Sequence, residues 1–569
     1  MKRNSAWRLR WIDRLHPLAW QRTLAVAALI GILGALSTIA FRETILLAER
    51  LAYGAGGSLV QIARGLVWWQ RLLAPAAGGV LAGLLLAWAR RQPEREKGGD
   101  YMEAVALGSG DLGARVSLLR ALSSAVTVAS GGAIGREGPM VQLAALCGSL
   151  IGRWRRVPVP RRRLYVACGA AAGIATAYNA PIAGALFVAE IVLRSLAVES
   201  LGPLIVAAVA ANVAIGAWTD YAPVYHLPAI ALGHGAPTLA LAGLGIVAGL
   251  LAPLYLALLD ASRALFGRWQ AALCLKLALG GLLVGALSII EPGVWGNGYS
   301  VVNAVLQGTW LWQGLLAILL LKLLAVAATT GSGAVGGIFT PTLFVGAVSG
   351  ALFGAACSAL WPGLVPVPAA VAVGMGAMLA ACTHAPLMSI LMLFEMTENY
   401  GLMVPLMAAC VLSYSIARVL RPNSIYAGAN GQARHAPLLT SAADLLRDGA
   451  PLIRSGQAIG ELEQVFLRQR WQHAYVLDAA GLFLGAVSLH DFMPLLGDAA
   501  AADAGAAWPA SLLRADYPRV RRGDPLWQVM ETFVLHPGER LPVIDDDGRL
   551  AGYLTKTDVV LLFRQLAGG

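Results

Sequence analysis

The sequence predicts an all-α membrane part built from two copies of one helical plan, followed by a small α/β tandem. Three observations predict it. Only 13% of the 569 residues are charged and 57% are hydrophobic, against about 25% charged in an ordinary soluble domain. Short motifs recur in the first 430 residues at offsets of 202 and 205. After about Ala436 the apolar text gives way to a mixed, charged sequence that repeats with a period of 67.

The apolar runs Leu24–Phe41, Leu72–Ala89 and Thr238–Leu259 carry no charged side chain. Each is long enough to cross a hydrocarbon core of about 30 Å as a helix. The first run leads into Arg42 and Glu43 rather than a small-residue cleavage site, so it reads as a span and not a removable signal. The net charge of +11 gathers in Met1–Arg14, Arg90–Lys97 and Arg153–Arg163. By the positive-inside rule these connections face the cytosol. No basic stretch is interleaved with base-stacking aromatics, which argues against a nucleic-acid partner. The six cysteines lie singly in apolar segments without CxxC spacing, so neither a disulfide frame nor a metal site is expected. Only five of the 43 basic residues are Lys; with so much Ala and Gly, that composition suits a GC-rich bacterial genome.

The membrane repeat is specific. Asn179-Ala180-Pro181 is followed nine residues after the proline by Glu190, and His384-Ala385-Pro386 by Glu395 at the same spacing. Gly169 and Gly374 precede them at the same offset of 205. Gly135-Arg136-Glu137-Gly138-Pro139 matches Gly337-Ile338-Phe339-Thr340-Pro341 at an offset of 202. Pro181–Glu190 and Pro386–Glu395 are too short to span and read as re-entrant or partial helices. Interrupted segments at matching places in duplicated halves point to a transport site near the bilayer midplane.

Gly135–Pro139 sets one carboxylate at a helix start. Proline is favoured there because its missing N–H costs nothing. The unpaired N–H groups of a first turn carry the positive end of the helix dipole, which makes an anion site out of backbone. Gly337–Pro341 supplies a second start. Glu137 would then compete with a transported anion, and protonating it or swinging it aside would open the path. An acid inside the membrane is a functional hypothesis by default; the alternative is an acid that caps its own helix. Arg120 and Lys322 lie within apolar segments, where they either raise the potential for anions or snorkel and pair.

These motifs resemble those of the CLC chloride channel and transporter family, and its bacterial ClcB-type branch in particular. Gly135–Pro139 and Gly337–Pro341 are similar to its two signature loops. Tyr178–Glu190, Trp295-Gly296-Asn297-Gly298-Tyr299 and Phe394–Tyr400 extend the resemblance over about residues 20–430. The resemblance implies two inverted halves with re-entrant helices, and a homodimer with a pore in each subunit. It implies that Glu137 is the gating glutamate. The backbone N–H groups of Arg136, Glu137, Gly138, Ile338, Phe339 and Thr340 would coordinate the anion, with the Tyr426 hydroxyl touching it. No catalytic residue, required cofactor or enzyme activity is implied.

Two departures stand out. Register puts Gly98-Gly99-Asp100-Tyr101-Met102-Glu103 where the family has Gly-Ser-Gly-Ile-Pro-Glu, so the serine hydroxyl opposite the tyrosine is absent; Gly108-Ser109-Gly110 lies too close to Glu137. The family's antiporters carry an acid immediately after the position of Glu190. Here that residue is Ile191, as apolar as in the family's channels.

In the tail, Asp478, Gly481, Gly485, Ser488 and Asp491 match Asp545, Gly548, Gly552, Thr555 and Asp558. Tyr475–Asp491 and Pro542–Asp558 each read as strand, glycine turn, strand and helix start. Gly485–Asp491 and Gly552–Asp558 resemble the nucleotide-binding stretch of CBS domains. Ser488 and Thr555 would meet phosphate and Asp491 and Asp558 the ribose of an adenine nucleotide; the alternative is that all four cap helices.

The expected organisation is a transmembrane anion-conducting domain at 1–432 and CBS domains at 436–500 and 505–569. The expected function is passive, voltage- or pH-gated transport of chloride or a similar small anion. The expected setting is a bacterial inner membrane with the tail in the cytosol, and the partners are the lipid bilayer, the anion and a second copy. The alternative is a proton/chloride antiporter. A CBS-bearing divalent-cation transporter is more remote, because a hard cation needs clustered carboxylates and the pore motifs offer one. Composition excludes a soluble enzyme.

Overall fold

A computed structural model describes residues 5–559 except 55, 93–98, 107, 219–224, 226, 229, 231, 233, 234, 309, 428–440, 469, 470, 498–506 and 537. Parts of the basic stretches 1–14 and 90–97, and the limits 432, 436, 500, 505 and 569 expected for the domains, therefore lie outside the described residues. The chain forms two compact units, Met1–Ala429 and Asn430–Gly569.

The first unit is helical. Its first half runs α1 (Ser5–Tyr53), α2 (Leu59–Gly65), α3 (Trp68–Arg90), α4 (Tyr101–Ala106), α5 (Ala114–Ala129), α6 (Glu137–Trp154), α7 (Val159–Tyr178), α8 (Pro181–Phe187) and α9 (Val198–Gly216). The second runs α10 (Ala236–Arg268), α11 (Leu273–Ile290), α12 (Tyr299–Leu306), α13 (Trp312–Gly331), α14 (Phe339–Leu360), α15 (Val367–Thr383), α16 (Pro386–Thr397) and α17 (Met403–Leu420). Among the described residues eight helices are long and apolar enough to cross a membrane, and the three expected runs fall in the first, second and fourth of them.

The packing of the first half recurs in the second. Helix α6 packs on α7 as α14 does on α15, α7 on α9 as α15 on α17, and α1 on α9 as α10 on α17. The offset of 205 shows in the backbone itself. Helices α7 and α15 both end in a left-handed residue, Asn179 at φ 54° and His384 at φ 58°. Each leads through an alanine of matching conformation to a proline that opens the next short helix. Gly169 and Gly374 have the same reason to recur. A Cβ on Gly169 would collide with the Ala144 carbonyl of α6, and one on Gly374 with the Gly346 carbonyl of α14. Only glycine lets these helices approach so closely, the usual means of packing helices in lipid.

Among its described residues the second unit holds two three-stranded sheets. In one, β1 (Leu452–Arg454) pairs parallel with β2 (His473–Leu477), and β2 antiparallel with β3 (Phe483–Ser488). In the other, β4 (Val520–Arg521), β5 (Arg540–Ile544) and β6 (Leu550–Thr555) repeat that order. Even the register shift recurs, at Val476/Leu477 and Val543/Ile544. The short helices α18 (Ile459–Glu463), α19 (Leu489–Gly497) and α20 (Leu526–Leu535) complete the two modules. The leading segments are exchanged: Ala442 packs into the core of the second sheet, and Trp508 into that of the first.

Candidate functional site

The two glycine–proline loops meet. Gly135 and Gly337 exchange backbone hydrogen bonds of 2.7 and 2.8 Å, a single antiparallel bridge between the halves. This bridge brings the starts of α6 and α14 together, each with first-turn N–H groups that its own helix cannot satisfy. Two positive helix ends then face one place. All six residues expected from the loops, Arg136, Glu137 and Gly138 with Ile338, Phe339 and Thr340, lie at these two starts.

Glu137 is 3% exposed. One carboxylate oxygen accepts from the Thr340 hydroxyl, which also lies 3.2 Å from the Tyr178 hydroxyl. The other oxygen has no hydrogen-bond partner among the described residues. It sits in a niche that only glycine leaves open, because a Cβ on Gly135 would collide with it. The acid is thus engaged by the Thr340 hydroxyl through one oxygen, with the Tyr178 hydroxyl close by.

A cavity of about 410 Å³ adjoins this point. Its lining includes Glu137, Gly138, Ile338 and Phe339 from the two starts, and Tyr426 from the segment after α17. Tyr426 is fixed by a hydrogen bond of 2.9 Å from Ile425 N–H to the Cys382 carbonyl and by the Phe187 ring, edge-on at 5.7 Å. Phe187 also touches Phe339, at 6.3 Å between ring centres. Asp100, Tyr101 and Met102 line the cavity, whereas Ser109 bonds to Asp111 at 2.6 Å elsewhere. Three residues of the stretch 98–103 thus stand in the cavity wall, where the serine present is Ser117. Arg136 lines a separate cavity of about 220 Å³ with Glu49, a 3% exposed carboxylate that accepts from Gly57 N–H at 3.4 Å.

Arg120 lines the larger cavity, as one of the two readings expected. Lys322, its counterpart at the offset of 202, does not. Its ammonium is buried and bonds the carbonyls of Val294 and Gly296, both at 2.7 Å, with the Phe344 ring 5.4 Å away. Its charge is spent on pinning the loop around Trp295.

Glu190 and Glu395 have a role the sequence did not suggest. Glu190 accepts from Met388 N–H at 2.8 Å and Leu387 N–H at 3.4 Å, at the start of α16. Glu395 accepts from Ala183 N–H at 2.7 Å and Ile182 N–H at 2.9 Å, at the start of α8. Each half caps a short helix of the other. Ile191 lies in the apolar core, 5% exposed.

These features decide the comparison with known proteins. A family described as "Voltage gated chloride channel" matches residues 78–418, and "CBS domain" matches residues 510–564. A "Putative chloride channel protein ClcB-like" of Ralstonia nicotianae is 54% identical over 411 residues, 71% of this chain and 96% of that protein. The chain belongs to the CLC chloride channel family. The "Voltage-gated ClC-type chloride channel ClcB" of Salmonella typhimurium is 44% identical over 71% of this chain and 98% of its own. Both relatives are almost wholly covered, so this CLC protein carries more chain than they do. The fold agrees. A slow cyanobacterial Cl⁻/H⁺ antiporter aligns with a TM-score of 0.64, 24% identity, and coverage of 72% of this chain and 96% of its own. A eukaryotic CLC transporter aligns at 0.63 and 18%, over 95% of this chain and 98% of its own. The membrane unit thus has the CLC fold of two inverted halves with short re-entrant helices, and the tail is a small α/β CBS pair.

The four tail residues expected to meet nucleotide are engaged within this CLC protein's tail. Asp558 bonds Arg447 at 2.5 Å and accepts from Thr555 at 2.7 Å, and Asp491 accepts from Arg514 at 2.7 Å. Ser488 accepts from His490 N–H at 3.2 Å, and Thr555 from Asp558 N–H at 3.1 Å. Arg447 and Arg514 are a period apart and belong to the exchanged leading segments, so each arginine pairs with the other module's aspartate. A cavity of about 170 Å³ in the tail is lined by Trp471, Gln472, His473, Tyr475, Glu539 and Arg540 instead.

Proposed function

We propose that this CLC protein conducts chloride passively through a gate formed by Glu137. One observation carries the reading: two helix starts and a half-satisfied carboxylate converge on the same cavity. The backbone N–H groups of Arg136, Glu137, Gly138, Ile338, Phe339 and Thr340 attract the anion through partial charges, so it is held weakly and moves on. The Tyr426 hydroxyl touches it from the side. When Glu137 occupies the anion's place the path is closed, and protonation or displacement of its carboxylate opens it.

Passive conduction is favoured over exchange by the route a proton would need. Ile191 offers no titratable group, and the neighbouring carboxylate of Glu190 is committed to α16. Proton-coupled exchange remains the second reading because the cavity holds another carboxylate, Asp100. The protein works in the bacterial inner membrane as a homodimer, with a conducting domain at 1–432 and CBS domains at 436–500 and 505–569 facing the cytosol. An adenine nucleotide at Ser488, Asp491, Thr555 and Asp558 would have to displace Arg447 and Arg514, and so would loosen the grip between the modules.

Purified protein in liposomes should pass chloride without metal or nucleotide. A cation flux with no anion flux would contradict the reading.

A further inference from the structure

The large cavity contains more charge than its gate. Among the described residues four ionisable side chains besides tyrosines line it: Asp100, Arg120, Glu137 and Arg263. The Arg263 guanidinium lies 3.1 Å from the Asp260 carboxylate, which it shares with Arg421. Arg120, on α5, is a second positive side chain in the wall, and its charge acts on Asp100. Glu103, one turn along α4, repels the same carboxylate.

Asp100 immediately precedes α4, with its carboxylate near the Met102 N–H, while the Tyr101 N–H donates to the Gln142 side-chain oxygen at 2.9 Å. Helix capping alone explains an oxygen at this position, and Asn supplies one as well as Asp does. Capping needs only that oxygen and leaves the choice of an acid, in the wall of a cavity meant for anions, unexplained. The stretch is also the one in which the expected serine hydroxyl is missing, and Arg120 stands in the same wall as a source of positive potential beside the neutral donors. An unopposed arginine would hold an anion too long for rapid passage.

We propose that Asp100 sets how strongly the cavity holds its anion, by offsetting the positive potential of Arg120. The inference rests on anion conduction through this cavity. Across about 10 Å at an effective dielectric of about 20, one unit charge changes the occupancy of a neighbouring anion by roughly tenfold.

The test is the chloride dependence of flux at pH 7 in proteoliposomes, comparing wild type with Asp100→Asn, Arg120→Gln and the double variant. Asp100→Asn keeps the cap and removes the charge, so the chloride concentration for half-maximal flux should fall by about tenfold. Maximal flux should fall with it, because the anion leaves more slowly. Arg120→Gln should raise the half-maximal concentration, and the double variant should return towards wild type. A wild-type chloride dependence in Asp100→Asn would overturn the inference and leave Asp100 a helix cap. Absence of anion flux in the wild-type protein would overturn the conduction reading, and this inference with it.

Discussion

Glu137 and Thr340 illustrate what one hydrogen bond can decide. The Thr340 hydroxyl is the donor that holds the buried carboxylate, while its second oxygen is unmatched. A hydrogen bond to a charged group contributes about 1.5–3 kcal/mol. Thr340→Val should therefore loosen the closed position and raise chloride flux at neutral pH by about tenfold, measured as efflux from liposomes. Glu137→Gln should abolish the pH dependence of flux, since the amide has the charge of the protonated acid at every pH. An unchanged pH profile would make Glu137 a structural cap. Glu137 was legible in the sequence because glycines and a proline around one acid have few other uses in a membrane. Its hold on Thr340 was not, because a threonine in that loop was expected to contribute only its backbone.

The short helices α8 and α16 depend on acids from the opposite half. Removing a capping carboxylate costs about 0.5–2 kcal/mol. Glu395→Ala should lower the midpoint of heat inactivation of flux, and Glu395→Gln should recover part of the loss because its amide oxygen still accepts. Equal loss in both would place the stabilisation in the charge rather than the cap. The repeat revealed that Glu190 and Glu395 correspond, yet nothing local distinguished them from acids facing water; their partners lie about 200 residues away. The tail poses the same difficulty. Its period was plain from glycines and aspartates at fixed spacing, but the exchange of leading segments, and with it the pairing of Arg447 with Asp558, depends on tertiary docking.

The tail modules also share a titratable contact. The rings of His473 and His536 flank Tyr517, at 5.1 and 4.9 Å between centres. Burial, then the nearby charges of His536 and Arg514, hold His473 below the ordinary histidine value, although Asp491 opposes them. Burial lowers His536 as well. The unfolded tail binds protons near pH 6.5 that the folded tail refuses until lower pH. Stability of the tail should therefore fall as pH drops through about 6.5. Asp558 loses its contribution only in stronger acid. Burial raises it, but the Thr555 hydroxyl and Arg447 hold it below the usual carboxylate range, so its contribution persists down through about pH 4. Hydrogen exchange of β2 and β5 in the full chain, corrected for intrinsic rates, should show less protection at pH 5.5 than at pH 7.5. Equal protection would rule out a pH-sensitive junction.

At the scale of the molecule, duplication builds the site. Each half provides one helix start, and neither start alone makes a cavity; the Gly135–Gly337 bridge joins them. The fold class followed from hydropathy and the two offsets, because each repeats a physical need: glycine where helices touch, proline where one begins. The cavity's charge balance did not follow, since Asp100 and Arg120 stand in different segments with no common motif. The direction of coupling depends on this whole arrangement, with Ile191 in the core and Glu190 committed to a cap. The most direct measurement is the reversal potential of the chloride current across a planar bilayer under an imposed pH gradient. Passive conduction predicts that it follows the chloride ratio alone. A shift with the pH gradient, accompanied by uphill proton movement that Glu137→Gln removes, would contradict passive conduction and establish exchange.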